Sequence, residues 1–248
     1  MFSPDVARRL CLALITLLLG SLIGPARIDA SGVNLSWNDC GTSGVSNKNF
    51  ACNTNSGSAV LVGSFVPPTG IDSLLGIAAT IDIWSAPDSV GTAMPDWWSF
   101  ATGGCRAGAL SLSFDFTSAS ACLDPWGGSA TGGLDYAIGV PSANHATLRL
   151  VGAVPAAVSV AADSEYYAFK FSITATKTTG AGSCSGCSSP ISISLTSLTL
   201  TQTAPAVDVV LSAPVSSALA TWQGGAGLAP ALPSPQPITY GQIRSLYH

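Results

Sequence analysis

The clearest signal along the chain is alternation of apolar and polar positions. In GALSLSFDF, Leu110, Leu112, Phe114 and Phe116 fall on one face, and Ser111, Ser113 and Asp115 on the other. In EYYAFKFSITAT, Tyr167, Phe169, Phe171 and Ile173 share a face, with Tyr166, Lys170, Ser172 and Thr174 opposite. In GIAATIDIWS, Ile77, Ala79, Ile81 and Ile83 align against Asp82 and Trp84. TLRLVGAV and AVDVVLS behave similarly. A period of two marks strands with one buried face. In ISISLTSLTLTQT the phase slips: Ile191, Ile193 and Leu195 keep one register, Leu198 and Leu200 the other. A one-residue slip turns every later side chain over. The spacing therefore predicts either a β-bulge near Ser197 or a strand that bends from one sheet into its partner.

No long stretch after residue 30 holds a 3.6-residue period, and GTSGVSNKN, APDSVGTAMPD, DPWGGSATGGLD and TKTTGAGSCSGCSSP read as loops. Many short strands separated by turns imply an all-β fold, an antiparallel β-sandwich of jelly-roll or immunoglobulin-like type with about eight to ten strands. The expected domain runs over 31–226. Upstream, Arg8 and Arg9 precede an apolar run from Leu10 to Ile23, and small residues follow at Gly24, Ala26 and Ala30. That layout reads as a signal peptide over 1–30, cut after Ala26 or Ala30. Downstream, LAPALPSPQP predicts an extended linker over 227–237. In the tail, 238–248, Thr239 would cap a short helix carrying Tyr240, Ile243 and Tyr247 on one face.

Composition narrows the function. Charged residues make up 9% of the chain. From Ser31 onward three Lys and three Arg stand against ten Asp and one Glu, a net charge of −5. No basic cluster exists, so nucleic acid is not an expected partner, and membrane contact is expected only through the signal peptide during export. Removing the signal peptide leaves six cysteines: Cys40, Cys52, Cys105, Cys122, Cys184 and Cys187. An even count in an exported chain reads as disulfides. Closeness in sequence favours Cys40–Cys52, Cys105–Cys122 and Cys184–Cys187. CSGC at 184–187 lacks the strand-to-helix setting of a redox pair, and only one C-x-x-C exists, so a four-cysteine zinc site is not expected. It is read as a disulfide closing a turn between strands.

Catalytic constellations are sparse. The chain has two histidines, His145 and His248, and no G-x-S-x-G elbow. His145 reads as a surface polar residue at a strand start. Asp124 and Asp135 bracket a Gly-rich loop containing Trp126, which could be a sugar or calcium site, or a turn whose carboxylates cap backbone amides. Structural calcium is the one ion such a loop could hold; no cofactor is expected. In MPDWWSF, adjacent strand residues would point opposite ways, leaving at most one of Trp97 and Trp98 for a ligand. Trp84 and Trp126 are the better candidates for an exposed platform. Asn34-Leu35-Ser36 matches a glycosylation sequon.

VNLSWNDCG with NKNFACNTNSGSAVLVGSF, then MPDWWSF with GGCR, then GSCSGCSSP, resembles a group of uncharacterised secreted bacterial proteins across most of the chain after the signal peptide. The ending TYGQIRSLYH is similar to T-W-G-x-[IV]-K-x-L-Y-R tails of other exported proteins, with Tyr240, Arg244 and His248 replacing the Trp, Lys and final Arg. The resemblance implies export and contributes no catalytic residue. The first functional reading is a secreted, non-enzymatic structural or adhesive component of the cell surface or matrix, partnered by glycans or other surface proteins. A carbohydrate-binding module is the second, and a hydrolase using two Asp the third.

Overall fold

The computed structural model describes residues 32–85, 93–212 and 218–225. The expected signal peptide, linker and tail lie outside them. The domain is an all-β, disulfide-stapled sandwich. Its strands are β1 (Gly32–Trp37), β2 (Asn47–Lys48), β3 (Ser58–Val66), β4 (Ile71–Ser85), β5 (Leu110–Ser113), β6 (Thr131–Ile138), β7 (His145–Val160), β8 (Tyr166–Thr174), β9 (Ile191–Gln202), β10 (Val209–Leu211) and β11 (Leu219–Trp222). That is eleven described strands against the eight to ten expected, because the two-residue β2 carries too little alternation to be read, whereas β10 falls within AVDVVLS. The smaller sheet runs β1-β3-β8-β5; the larger runs β2-β11-β9-β4-β7-β6, with β10 also on β9. Every pairing is antiparallel except β2 with β11.

The sequence phase slip in β9 is a bulge. Thr80 of β4 pairs with Ser197 and Ile81 with Leu195, so Thr196 is the extra residue. Its hydroxyl donates to the Thr80 carbonyl at 3.0 Å. Ile191, Ile193, Leu195, Leu198 and Leu200 consequently all reach one core, and the strand stays in one sheet.

A second bulge corrects the reading of β8. Gly63 pairs with Phe169 and Ser64 with Tyr167, leaving Ala168 unpaired. Tyr166 therefore turns inward to stack on Phe65 at 5.7 Å. Tyr167 moves to the outer face, where Phe116 lies flat on it at 4.3 Å. The carbonyl of Ala168 accepts the Trp126 indole N–H at 3.0 Å. Two glycines admit large rings to the core. A Cβ at Gly63 would stand 2.3 Å from Phe169, and one at Gly152 would stand 2.4 Å from Phe114.

The disulfides join different partners from those expected: Cys40–Cys122, Cys52–Cys187 and Cys105–Cys184, with sequence separations of 82, 135 and 79. Cys184 and Cys187 do not pair with each other. Sequence proximity fails because the fold brings together segments that lie far apart in the chain. Constraint of the unfolded chain grows with loop length, so each long bridge is worth roughly 4–5 kcal/mol by chain entropy.

Candidate functional site

The residues singled out as a ligand platform are not one. Trp84 is 1% exposed and Trp126 2%. Trp126 is held inside by its bond to the β8 bulge, an irregularity with no sequence mark of its own. Asp124 accepts the backbone N–H of Trp126 at 2.9 Å, which is the capping role. Asp135 is exposed in β6, paired across the ladder with Arg149 of β7. Neither aspartate belongs to any cluster of three or more His, Cys, Asp or Glu among the described residues. The cluster that does form is Cys40, Cys122 and Glu165. Its sulfurs are bonded to each other, so they offer no thiolate to a metal. Glu165 instead accepts from the Asn34 amide at 2.8 Å and the Ser64 hydroxyl at 2.6 Å, which occupies the nitrogen of the sequon.

Trp97 and Trp98 are both buried, contrary to the strand reading. Pro95 leads into a 3-10 turn at Asp96–Trp98, and successive side chains in such a turn diverge by less than they do in a strand. Both indoles can then enter the same wedge. With Trp37, Phe50 and Trp222 they build an aromatic end to the core: Phe50 stacks on Trp222 at 3.9 Å, and Trp97 and Trp98 lie 4.7 and 5.4 Å from it. Arg106, 1% exposed, sets its guanidinium 3.5 Å above Trp97. It donates to the carbonyls of Thr176 and Trp97, each at 3.0 Å, and to that of Thr174. No carboxylate meets it in these bonds, and burial pulls its pKa down to about 10. Beside this end lies a cleft of about 160 Å³ lined by Phe50, Trp97, Trp222, Ser56, Ser58 and Thr178 among others. Asn55 fixes its wall, accepting from the N–H groups of Thr178 and Thr179 at 2.7 and 2.9 Å.

A second constellation lies on the opposite face of the same sheet end. Ile81 and Ile83 of β4 enter the core, so Asp82 and Trp84 point away from it. Trp84 pairs with His145, and Asp82 with Thr147. The Trp84 and His145 rings lie near-parallel, 6.3 Å apart. His145 is 3% exposed and Asp82 9%, so the surface position read for His145 is wrong: its partner on that face is an indole, not solvent. The hydroxyl of Thr147 donates to Asp82 at 3.2 Å. Burial raises the Asp82 carboxyl above its ordinary value and lowers the His145 imidazole below its own.

The tautomer of His145 follows from its neighbours. Nδ1 lies 3.1 Å from Oδ1 of Asn144 and 2.6 Å from the Ser142 hydroxyl. Asn144 is oriented because its Nδ2 donates to the Ser85 carbonyl at 3.2 Å. The Ser142 hydroxyl donates to the same Oδ1 at 2.8 Å, which leaves the hydroxyl oxygen to accept, and an amide oxygen can only accept, so the proton is assigned to Nδ1. In the neutral ring Nε2 is then a bare lone pair, and it has no protein partner; neither does Nε1 of Trp84. Sequence reasoning passed over this row because His145 and Trp84 are 61 positions apart and only strand pairing brings them together.

No protein-family model matches this chain, and no curated protein is a significant match to it. Among the described residues no helix is long and apolar enough to cross a membrane, and the three disulfides fit an extracellular protein.

Proposed function

We propose that the protein is an exported, non-enzymatic structural or adhesive component of the cell surface or extracellular matrix, like the secreted bacterial group it resembles. The observation that supports this best is the bracing. Three disulfides each tie loops 79 or more residues apart, and all six tryptophans are spent on the interior. A sandwich so stapled resists unfolding where no chaperone reaches it. The test is fractionation of producing cells combined with thiol alkylation of intact protein. The expected result is protein outside the cytoplasm with no alkylated cysteine from Cys40 to Cys187. Cytoplasmic protein with reactive thiols would remove the proposal. The tail at 238–248 is proposed to serve sorting, so its deletion should lower surface retention.

The cleft favours a second reading, sugar binding. Its lining carries aromatic edges and hydroxyls but no charged side chain, which suits a small uncharged polyol rather than an ion. Ala51 is exposed and lines it. Retention on a glycan array that is lost in Ala51→Trp supports this reading; retention on none, or equal retention by both proteins, removes it.

A further inference from the structure

We propose that the His145 row is a proton-operated latch: protonation of His145 releases the 140–144 loop from the end of β4, while the rest of the sandwich stays folded. The latch has identifiable parts. The N–H of Ser85 donates to the Asn144 carbonyl at 3.0 Å, and Asn144 returns its amide to the Ser85 carbonyl. The N–H of Met94 donates to the Ala143 carbonyl at 2.8 Å. His145 stands behind this joint, holding Asn144 through Nδ1 and closing its own turn through a bond from its N–H to the Ser142 carbonyl at 2.9 Å. The joint thus depends on a ring whose other nitrogen is buried and unpaired.

A proton added at Nε2 creates a cation whose new N–H has no acceptor among the described residues in the closed state. Burying an unpaired donor is costly, and burying an unpaired charge more so. Among the described residues the charged groups that could offset it are few. From β4 the facing group is Asp82, already engaged by Thr147; from β7 it is Arg149, two rows away, which carries the wrong sign. Asp135 of β6 faces Arg149, not His145. β9 presents Ser192 and Ser194 at this level, the 140–144 loop carries no charge, and Asp96 is turned to Ser185. Opening lets water solvate the imidazolium.

The sign of the response follows. The closed state holds His145 below its ordinary pKa because it is buried. As pH falls through the ordinary histidine range, the open state takes a proton before the closed state does, so closure weakens toward acid. Asp82, with its raised carboxyl, works in the opposite sense at lower pH.

The test is native-state amide hydrogen exchange of the full chain with intact disulfides, corrected for the intrinsic pH dependence of exchange. Protection at Ser85, Met94 and His145 should fall by about tenfold per pH unit, the slope of one proton. Protection at Ile193 and Trp222 should stay constant over the same range. His145→Gln should flatten the profile. Should that variant fail to fold, Asp82→Asn provides the second arm: losing the nearby anion should move the His145 titration, followed by its ring resonances, to still lower pH. A profile that is already flat overturns the latch. So does loss of core and loop protection together, or an Asp82→Asn titration that does not move. None of these outcomes bears on export or surface retention.

Discussion

Two regions of this molecule sit back to back on the same strand end and treat buried polar groups in opposite ways. On the core side, Trp222 donates its indole N–H to the Cys187 carbonyl at 2.7 Å, Trp37 donates to that of Thr221 at 2.9 Å, and Arg106 spends its guanidinium on three carbonyls and two rings. Cys52–Cys187 and Cys105–Cys184 tether the loops around them. One residue along β9, the chain faces the other way. There Trp84 and His145 are as deeply buried, yet each leaves a nitrogen unpaired. An unmade buried hydrogen bond costs about 1–3 kcal/mol, so the second region gives up stability that the first retains. A fold that pairs the Trp37, Trp222 and Arg106 donors at one surface of a sheet, with Trp98 Nε1 the exception there, and leaves the Trp84 and His145 nitrogens unpaired at the other, has placed its adjustable part opposite its anchor.

The hardest way to break this contrast is to remove the anchor. Cys52→Ala with Cys187→Ala deletes the longest bridge, and unfolding by denaturant should register a loss of roughly 4–5 kcal/mol. The Ser85 and Met94 amides should exchange as before relative to the global limit, since the bridge lies on the other face. Arg106→Met comes next. It keeps an apolar chain in place but strands the carbonyls of Thr174, Thr176 and Trp97, and the expected loss is about 3–5 kcal/mol. Arg106→Lys should recover only part of it, because a point-like ammonium cannot reach three divergent acceptors while lying flat on an indole. A methionine variant as stable as the parent would mean the guanidinium contributes no net anchoring.

The sheets were legible in the sequence because period-two alternation is a local signal. The faces assigned to Ile77–Ile83 and to Ile191–Leu200 reach the core as read, and the bulge in β9 announced itself as a phase slip near Ser197. The bulge at Ala168 did not, because Tyr166 and Tyr167 are both large aromatic residues and either could face the core. The candidate site was illegible for a related reason. Trp84 was correctly placed opposite the core face, but a neighbour such as Asp82 suggested water, while the actual neighbours, His145 and Ser192, come from other strands. Cysteine pairing failed in the same way: every bridge spans at least 79 residues, and no local rule reaches that far.

Matched truncations of indoles give the finest test of the comparison. Trp222→Phe removes part of a buried ring and also leaves the Cys187 carbonyl without its donor. Trp84→Phe removes a comparable amount of ring but no hydrogen bond, because its Nε1 has no acceptor. Fluorescence is altered by both changes, so stability should be read from far-ultraviolet dichroism in urea. Trp222→Phe should cost about 1–3 kcal/mol more than Trp84→Phe, the worth of a buried acceptor left unpaired. Trp98 supplies the internal control. It belongs to the aromatic end, yet its Nε1 is also without a partner. If hydrogen-bond satisfaction separates the two regions, Trp98→Phe should resemble Trp84→Phe in cost. If dense ring packing separates them instead, Trp98→Phe should side with Trp222→Phe, and the contrast would belong to the rings rather than to their nitrogens.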